Sequence, residues 1–157
     1  MTISALCKRE VVTIQRQATA EDAARLMRAS HVGDVVVVDA TDTRKPVGII
    51  TDRDIVIEIV GQGLAPENTP VESVMSSPIL TLGEEDGFIA ALDKMSARGV
   101  RRAPVVDRDG HLKGLVSVDD LVRLLARELA KIGALIRHEQ DEEIVRTENS
   151  FQDEFAS

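Results

Sequence analysis

Residues 48 to 56 read GIITDRDIV, and residues 114 to 122 read GLVSVDDLV. A chain that writes one pattern of glycine, aliphatic pair, hydroxyl and carboxylate twice is restricted to folds built from two similar units. The register extends well beyond these nine residues. Thr13 falls on Thr81, Ala23 on Ala91, Met27 on Met95, Val32 on Val100, Val37 and Val38 on Val105 and Val106, and Asp39 on Asp107. The first copy then spends a longer turn, ATDTRKP against RDGHLK, after which Gly48 falls on Gly114, Thr51 on Ser117, Asp54 on Asp120 and Val56 on Val122. Even the lead-in matches, TISALC preceding the first copy as PVESVM precedes the second. That alignment sets Cys7 opposite Met75 and predicts a packed, methionine-like role for the thiol.

Each copy reads as β-α-β-β-α, an α/β (α+β) unit. A short extended stretch, Val11 to Ile14 or Ile79 to Leu82, leads into a helix whose apolar residues Ala20, Ala23, Ala24 and Met27 follow the helical stripe. Thr19 with Asp22 offers a hydroxyl and a carboxylate to cap the first helix. A β-branched run follows, DVVVVD or APVVD, then a turn such as Asp109-Gly110, then a second run, VGIIT or KGLVS. Continuous apolar runs of this kind belong to strands covered on both faces. A second helix starts directly after Thr51 or Ser117. A copy of about 60 residues has little core of its own, so the two halves are expected to press together with pseudo-twofold symmetry. The connector GQGLAPENTP is rich in helix breakers, and TPVE supplies cap, proline and carboxylate for a short helix. The expected division is a first repeat over 1–66, a second over 67–127 and a C-terminal extension over 128–157.

The composition narrows the function classes. Hydrophobic residues make up 43% and charged residues 29%, ordinary for a globular chain. No apolar run approaches the length of a membrane span, and MTISALCKRE lacks the apolar core of a signal peptide, which points to the cytoplasm without membrane insertion. A single cysteine agrees with a reducing compartment. A net charge of −8, with no Trp, no Tyr and three Phe, argues against nucleic acid, whose phosphates need a basic face and whose bases need aromatic platforms. His31, His111 and His138 have no metal-like spacing, and no phosphate-binding glycine loop or nucleophile with a base beside it is visible. The expectation is therefore not an enzyme: no catalytic residue and no metal ligand.

Leu121, Leu125, Leu129, Ile132 and Ile136 line one face of a helix that runs past the repeat and needs a partner surface, either the same helix or a neighbouring one in another copy of the protein. Residues 139 to 157 hold seven acidic residues against Arg146 alone and read as a mobile acidic tail, with a docking peptide as the sharper alternative.

The ordering of DAxxxM, VVVVD and VGIITDRDIV, repeated as AALDKM, APVVD and KGLVSVDDLV, resembles a tandem pair of CBS domains, the modules named after cystathionine β-synthase. The resemblance covers residues 2 to about 127. It implies one globular module, called a Bateman module, with two clefts that take adenosine compounds such as AMP, ADP, ATP or S-adenosylmethionine. It also implies a regulatory, energy-sensing role, frequent homodimers, and a target that is a separate protein molecule. No obligatory cofactor is implied.

Thr51 with Asp54 and Ser117 with Asp120 have two readings that can coexist. A hydroxyl followed three residues later by a carboxylate at a helix start is a capping box. The same place gathers free amides, where a carboxylate repels phosphate but accepts from a ribose diol, each charge-assisted bond contributing roughly 1.5 to 3 kcal/mol. By resemblance, cleft one combines Thr51 and Asp54 with Pro78, Ile79, Leu80, Val100, Arg101 and Arg102. Cleft two combines Ser117 and Asp120 with Lys8, Val11, Val12, Val32, Gly33 and Asp34. Arg101 and Arg102 can neutralise a phosphate, or simply be a solvated start of a strand. At a separation of about 5.5 Å and an effective dielectric near 20, Asp34 disfavours a phosphate by roughly 3 kcal/mol. Phosphorylated adenosine is thus expected in cleft one first, unless Lys8 or Arg9 offsets Asp34. A ligand-free, dimer-forming scaffold is the competing function.

Overall fold

The computed structural model describes residues 2–155. The chain forms two compact units, Met1–Asp120 and Leu121–Ser157. The first holds both repeats up to the opening turn of the second repeat's last helix, and the rest of that helix forms the second. In the first repeat, β1 (Thr13–Gln15) leads to α1 (Ala20–Ser30), β2 (Asp34–Val38), β3 (Pro46–Thr51) and a helix, α2, that begins at Asp52–Asp54 and continues as a π-helix over Ile55–Val60. The second repeat runs β4 (Leu82–Gly83), α3 (Phe88–Arg98), β5 (Arg102–Val106), β6 (Leu112–Ser117) and α4 (Val118–Phe155). The expected β-α-β-β-α order is present twice.

Each repeat folds into its own three-stranded sheet, with the middle strand parallel to the short first strand and antiparallel to the third. Even the register irregularity repeats, between Val37 and Val38 and between Val105 and Val106. Burial explains the sequence pattern. Val35 to Val38 on the middle strand β2 are all buried, as a strand covered on both faces must be, whereas β3 and β6 alternate between Gly48 and Ile50, and Gly114 and Val116, inward. The first strands are shorter than the sequence suggested and start later, because only Thr13–Gln15 and Leu82–Gly83 find ladder partners on the middle strand.

The helix ends obey local chemistry. Thr19 and Asp22 form the expected capping box, the Thr19 hydroxyl accepting from the Asp22 amide and the Asp22 carboxylate from the Thr19 amide, both at 3.1 Å. The TPVE expectation is corrected. Thr69 turns its hydroxyl back to the Ala65 carbonyl at 2.8 Å, and the 3₁₀ turn Val71–Ser73 has no side-chain cap. The acidic segment is also different from the mobile tail expected: α4 continues through it to Phe155, with Glu139, Asp141, Glu142 and Glu143 helical and exposed.

The two repeats hold each other by swapping their lead-in segments. Val71 is fully buried in the core of the first repeat beside Ala23, Met27, Val35, Val37 and Ile50, and Val74 and Met75 pack against the same cluster. The amides of Val71 and Glu72 donate to the carbonyls of Ala18 and Arg16, and Ser76 pairs with Ile49 of β3. The N-terminal residues repeat this on the second half. Ile3 is fully buried, the amides of Ile3 and Ser4 donate to the carbonyls of Asp86 and Glu84, and Lys8 pairs with Leu115 of β6. Burying a Val or Ile in this way contributes roughly 1.5 to 3 kcal/mol.

The repeated glycine follows from the swap. A Cβ on Gly48 would fall on Met75 Sδ, and one on Gly114 would lie 2.6 Å from Cys7 Sγ and 2.8 Å from the Lys8 carbonyl oxygen. Cys7 therefore packs as Met75 does, and its partial burial pushes the thiol pKa up. No helix among the described residues is long and apolar enough to cross a membrane.

Candidate functional site

The hydroxyl residues sit where β3 and β6 end and helices begin. Thr51 and its amide both donate to Asp54 Oδ2, at 2.9 and 2.8 Å, while the Asp54 amide donates back to the Thr51 hydroxyl at 3.1 Å. Ser117 and Asp120 repeat the geometry at 2.6, 2.9 and 3.2 Å. Capping is thus a real role of both pairs. It uses only Oδ2 of each carboxylate; Oδ1 makes no hydrogen bond among the described residues.

A cavity of about 450 Å³ opens beside these caps, within the first unit. Its wall includes Thr51, Asp52 and Arg53 from the first repeat, Val100, Arg101 and Arg102 before and at the start of β5, and Ser117 with Asp119 from the second repeat. Ile49 and Ser76, paired across the swapped segment, complete it. The Asp52 amide donates to the Gly33 carbonyl and the Val118 amide to the Arg101 carbonyl, so the start of each middle strand is tied to the helix start of its own repeat. A Cβ on Gly33 would lie 3.1 Å from Asp52 Oδ2.

Of the cleft-one set, the structure gathers Thr51, Val100, Arg101 and Arg102 at this cavity; Asp54, Pro78, Ile79 and Leu80 are not on its wall. Of the cleft-two set, Ser117 lines the same cavity, while Asp120, Lys8, Val11, Val12, Val32, Gly33 and Asp34 do not. The sequence reading missed Ile49, Asp52, Arg53 and Asp119, which lie inside the two repeated nonapeptides, and Ser76, which follows the lead-in PVESVM.

Two charges are placed differently from expectation. Arg102 Nε forms an ion pair with Asp34 Oδ2 at 2.8 Å, joining the start of β5 to the start of β2. Asp34 is therefore neutralised by an arginine of the other repeat, and neither Lys8 nor Arg9 serves that purpose; Arg9 instead bonds the Ser4 hydroxyl. Arg53 and Arg101 make no ion pair among the described residues and are exposed. They are the cavity's uncommitted cations.

The histidines divide. His31 closes α1 in the left-handed conformation, φ 54°. His111 lies where the two turns meet, Nε2 at 3.5 Å from Asp42 and Nδ1 at 3.8 Å from Asp107, beside a backbone bond from Leu112 to Arg44. Asp107, Asp109 and His111 lie close enough to share an ion. The turn accounts for that geometry, since Asp107 accepts from the amides of Asp109 and His111 and pairs with Lys113 at 3.0 Å.

The CBS-domain family model matches residues 3–61 and again residues 71–127. The chain belongs to the CBS-domain family. Among solved structures, a CBS-domain protein from Pyrobaculum aerophilum in complex with AMP matches with a TM-score of 0.73 and 31% identity, over 83% of this chain and 99% of that one. An uncharacterised protein of Methanopyrus kandleri is 34% identical over 142 residues, 90% of this chain and 71% of that protein. A CBS domain-containing protein of Bacillus subtilis is 33% identical over 112 residues, 71% of this chain and 76% of the relative. This chain is a tandem CBS pair with a long C-terminal helix.

Proposed function

We propose that this CBS pair is a regulatory sensor that takes an adenosine nucleotide, AMP first among them, in the cavity between its repeats. One observation carries the reading: hydroxyl residues of both repeats and two unpaired arginines line a single cavity in a chain that shares its fold, at 31% identity, with an AMP complex. Asp54 and, in the second half, Asp120 lie off the cavity wall behind Thr51 and Ser117, and the ribose diol reaches their Oδ1 from the cavity's edge, Oδ2 being held by the cap. Arg101 meets the phosphate, with Arg53 across the cavity, while Arg102 is drawn toward Asp34. Val100 on the cavity wall, with Pro78, Ile79 and Leu80 off it, gives an apolar edge for the base in cleft one; Val11, Val12, Val32 and Gly33, with Lys8 beside them, all off the wall, are the corresponding edge of cleft two by the family resemblance.

The nucleotide acts by favouring one arrangement of the repeats over another, which requires unequal affinity for the two. A cytoplasmic homodimer presents that difference to a separate target protein, and no step of catalysis is involved. Without Trp or Tyr the chain absorbs little at 280 nm, so copurified nucleotide stands out in an ultraviolet scan. The deciding measurement is calorimetric titration with AMP of the wild type and of Arg101→Ala. Loss of about tenfold or more in affinity, about 1.4 kcal/mol, is expected for the variant. Absence of AMP, ADP, ATP and S-adenosylmethionine binding to the wild type would return the protein to the competing reading, a ligand-independent adaptor.

A further inference from the structure

Helix α4 carries an apolar seam that its own unit leaves open. Val122, Leu125, Leu129, Ile132 and Ile136 are each between 51% and 59% exposed, and their spacing alternates between three and four residues. That alternation is the 3.5-residue period of a coiled-coil seam, which one straight helix drifts away from unless a second helix winds against it. At 1.5 Å per residue the seam runs roughly 21 Å. Leu121 and Leu124 are buried and lie off it.

The charges on the same helix select both the occupant and its direction. Past Asp119 and Asp120 in its first turn, the stretch from Leu121 to His138 bears Arg123, Arg127, Lys131 and Arg137 against Glu128; the stretch that follows bears Glu139, Asp141, Glu142 and Glu143 against Arg146. Two such helices in parallel set acid beside acid at an axial separation of about 8 to 10 Å, within about one Debye length at physiological salt. Reversed about a point near His138, the basic half of each copy lies along the acidic half of the other. That reversal sets Arg137 against Glu139 and Ile132 against Ile144, itself exposed. Past Ile136 the spacing steps by four twice, through Gln140 to Ile144, a stutter that loosens the supercoil at the crossing.

We infer that two copies of this chain pair through α4 as an antiparallel coiled coil centred near His138. The inference rests on the reading of the protein as a homodimer and is independent of nucleotide. The test uses the full-length protein with Cys7→Ser, which removes the one native thiol, plus either Ile136→Cys or Val122→Cys, both at exposed positions. Each is treated at micromolar concentration, without nucleotide, with a short bismaleimide. The Ile136→Cys protein is expected to link into a dimer in high yield. The Val122→Cys protein is expected to stay monomeric on a denaturing gel, its two sites being roughly 48 Å apart along the pair at 1.5 Å per residue. Adding Leu129→Glu and Ile132→Glu to the Ile136→Cys protein is expected to cut linkage at least tenfold with the far-ultraviolet spectrum unchanged. Linkage at both cysteines, at Val122→Cys alone, or at neither overturns the inference, as does linkage that survives the paired glutamates. AMP titration of the same proteins reads the nucleotide site separately, so failure of one reading leaves the other visible.

Discussion

The strand following α1 begins Asp34 after Gly33, while the strand following α3 begins Arg102 after Arg101. The two repeats share sheet order, register and even the position of a bulge, yet differ in charge at the place where each approaches the cavity. The difference is not simply a cationic half against an acidic one. Arg102 reaches across to Asp34 at 2.8 Å, so part of the asymmetry is spent inside the protein, and Arg101 with Arg53 is what remains at the cavity without an ion partner among the described residues. A duplicated framework can therefore keep its shape while its two halves acquire different chemistry, because backbone packing fixes the shape and a few side chains at strand starts fix the charge.

The two repeated glycines give the largest expected contrast. Gly114→Ala should destabilise the protein by about 2 to 3 kcal/mol, since the new methyl meets the Lys8 carbonyl as well as Cys7. Gly48→Ala should cost about 1 to 2 kcal/mol, the three nearest atoms there all belonging to the flexible Met75 side chain. Urea midpoints of the two variants check the order, and a reversed order would mean the swapped segments are not equally fixed. Next comes Asp34→Asn, which releases Arg102 and is expected to tighten AMP binding about tenfold, about 1.4 kcal/mol by calorimetry.

The helix ends supply a smaller contrast. His31 and Gly99 occupy equivalent C-caps at φ 54° and 62°, and only glycine is at ease there. His31→Gly is expected to stabilise by about 1 kcal/mol in thermal unfolding. Gly87 stands where Thr19 caps the first helix but has no side chain to do so, and Gly87→Ser should add a few tenths of a kcal/mol. The last contrast shows only in acid. The amide of His111 above all holds the Asp107 carboxyl down to about 2, from 3.8, while its counterpart Asp39 is lowered chiefly by the Thr41 hydroxyl. A depressed carboxyl stabilises the fold above its unfolded pKa and ceases to do so as pH falls through the folded one. Stability should therefore decline between about pH 4 and about pH 2, and Asp107→Asn should flatten that limb of the melting curve more than Asp39→Asn does.

Much of this was legible from the linear chain. Matching Thr51 and Asp54 to Ser117 and Asp120 located both helix starts and both caps, because capping is a local interaction written within four residues. The run DVVVVD announced a middle strand for the same kind of reason. The π-helical turn of Ile55–Val60 was invisible, since the hydrophobic period does not distinguish it from an α-helix. The helical course of the acidic segment was equally hidden, a run of like charge being read as tail where the structure carries one helix to Phe155.

The sequence by itself determined that there are two equivalent halves, where their strands and helices begin, and which residue types stand at each helix start. Local propensity and periodicity are enough for that. Only the tertiary structure decided that Ile3 and Val71 each complete the other half's core, that Gly48 and Gly114 must be bare to admit a neighbouring sulfur, and that Arg102 is committed to Asp34. Those are contacts between residues far apart in the chain, and their distances are set by how two sheets pack, which no local pattern encodes.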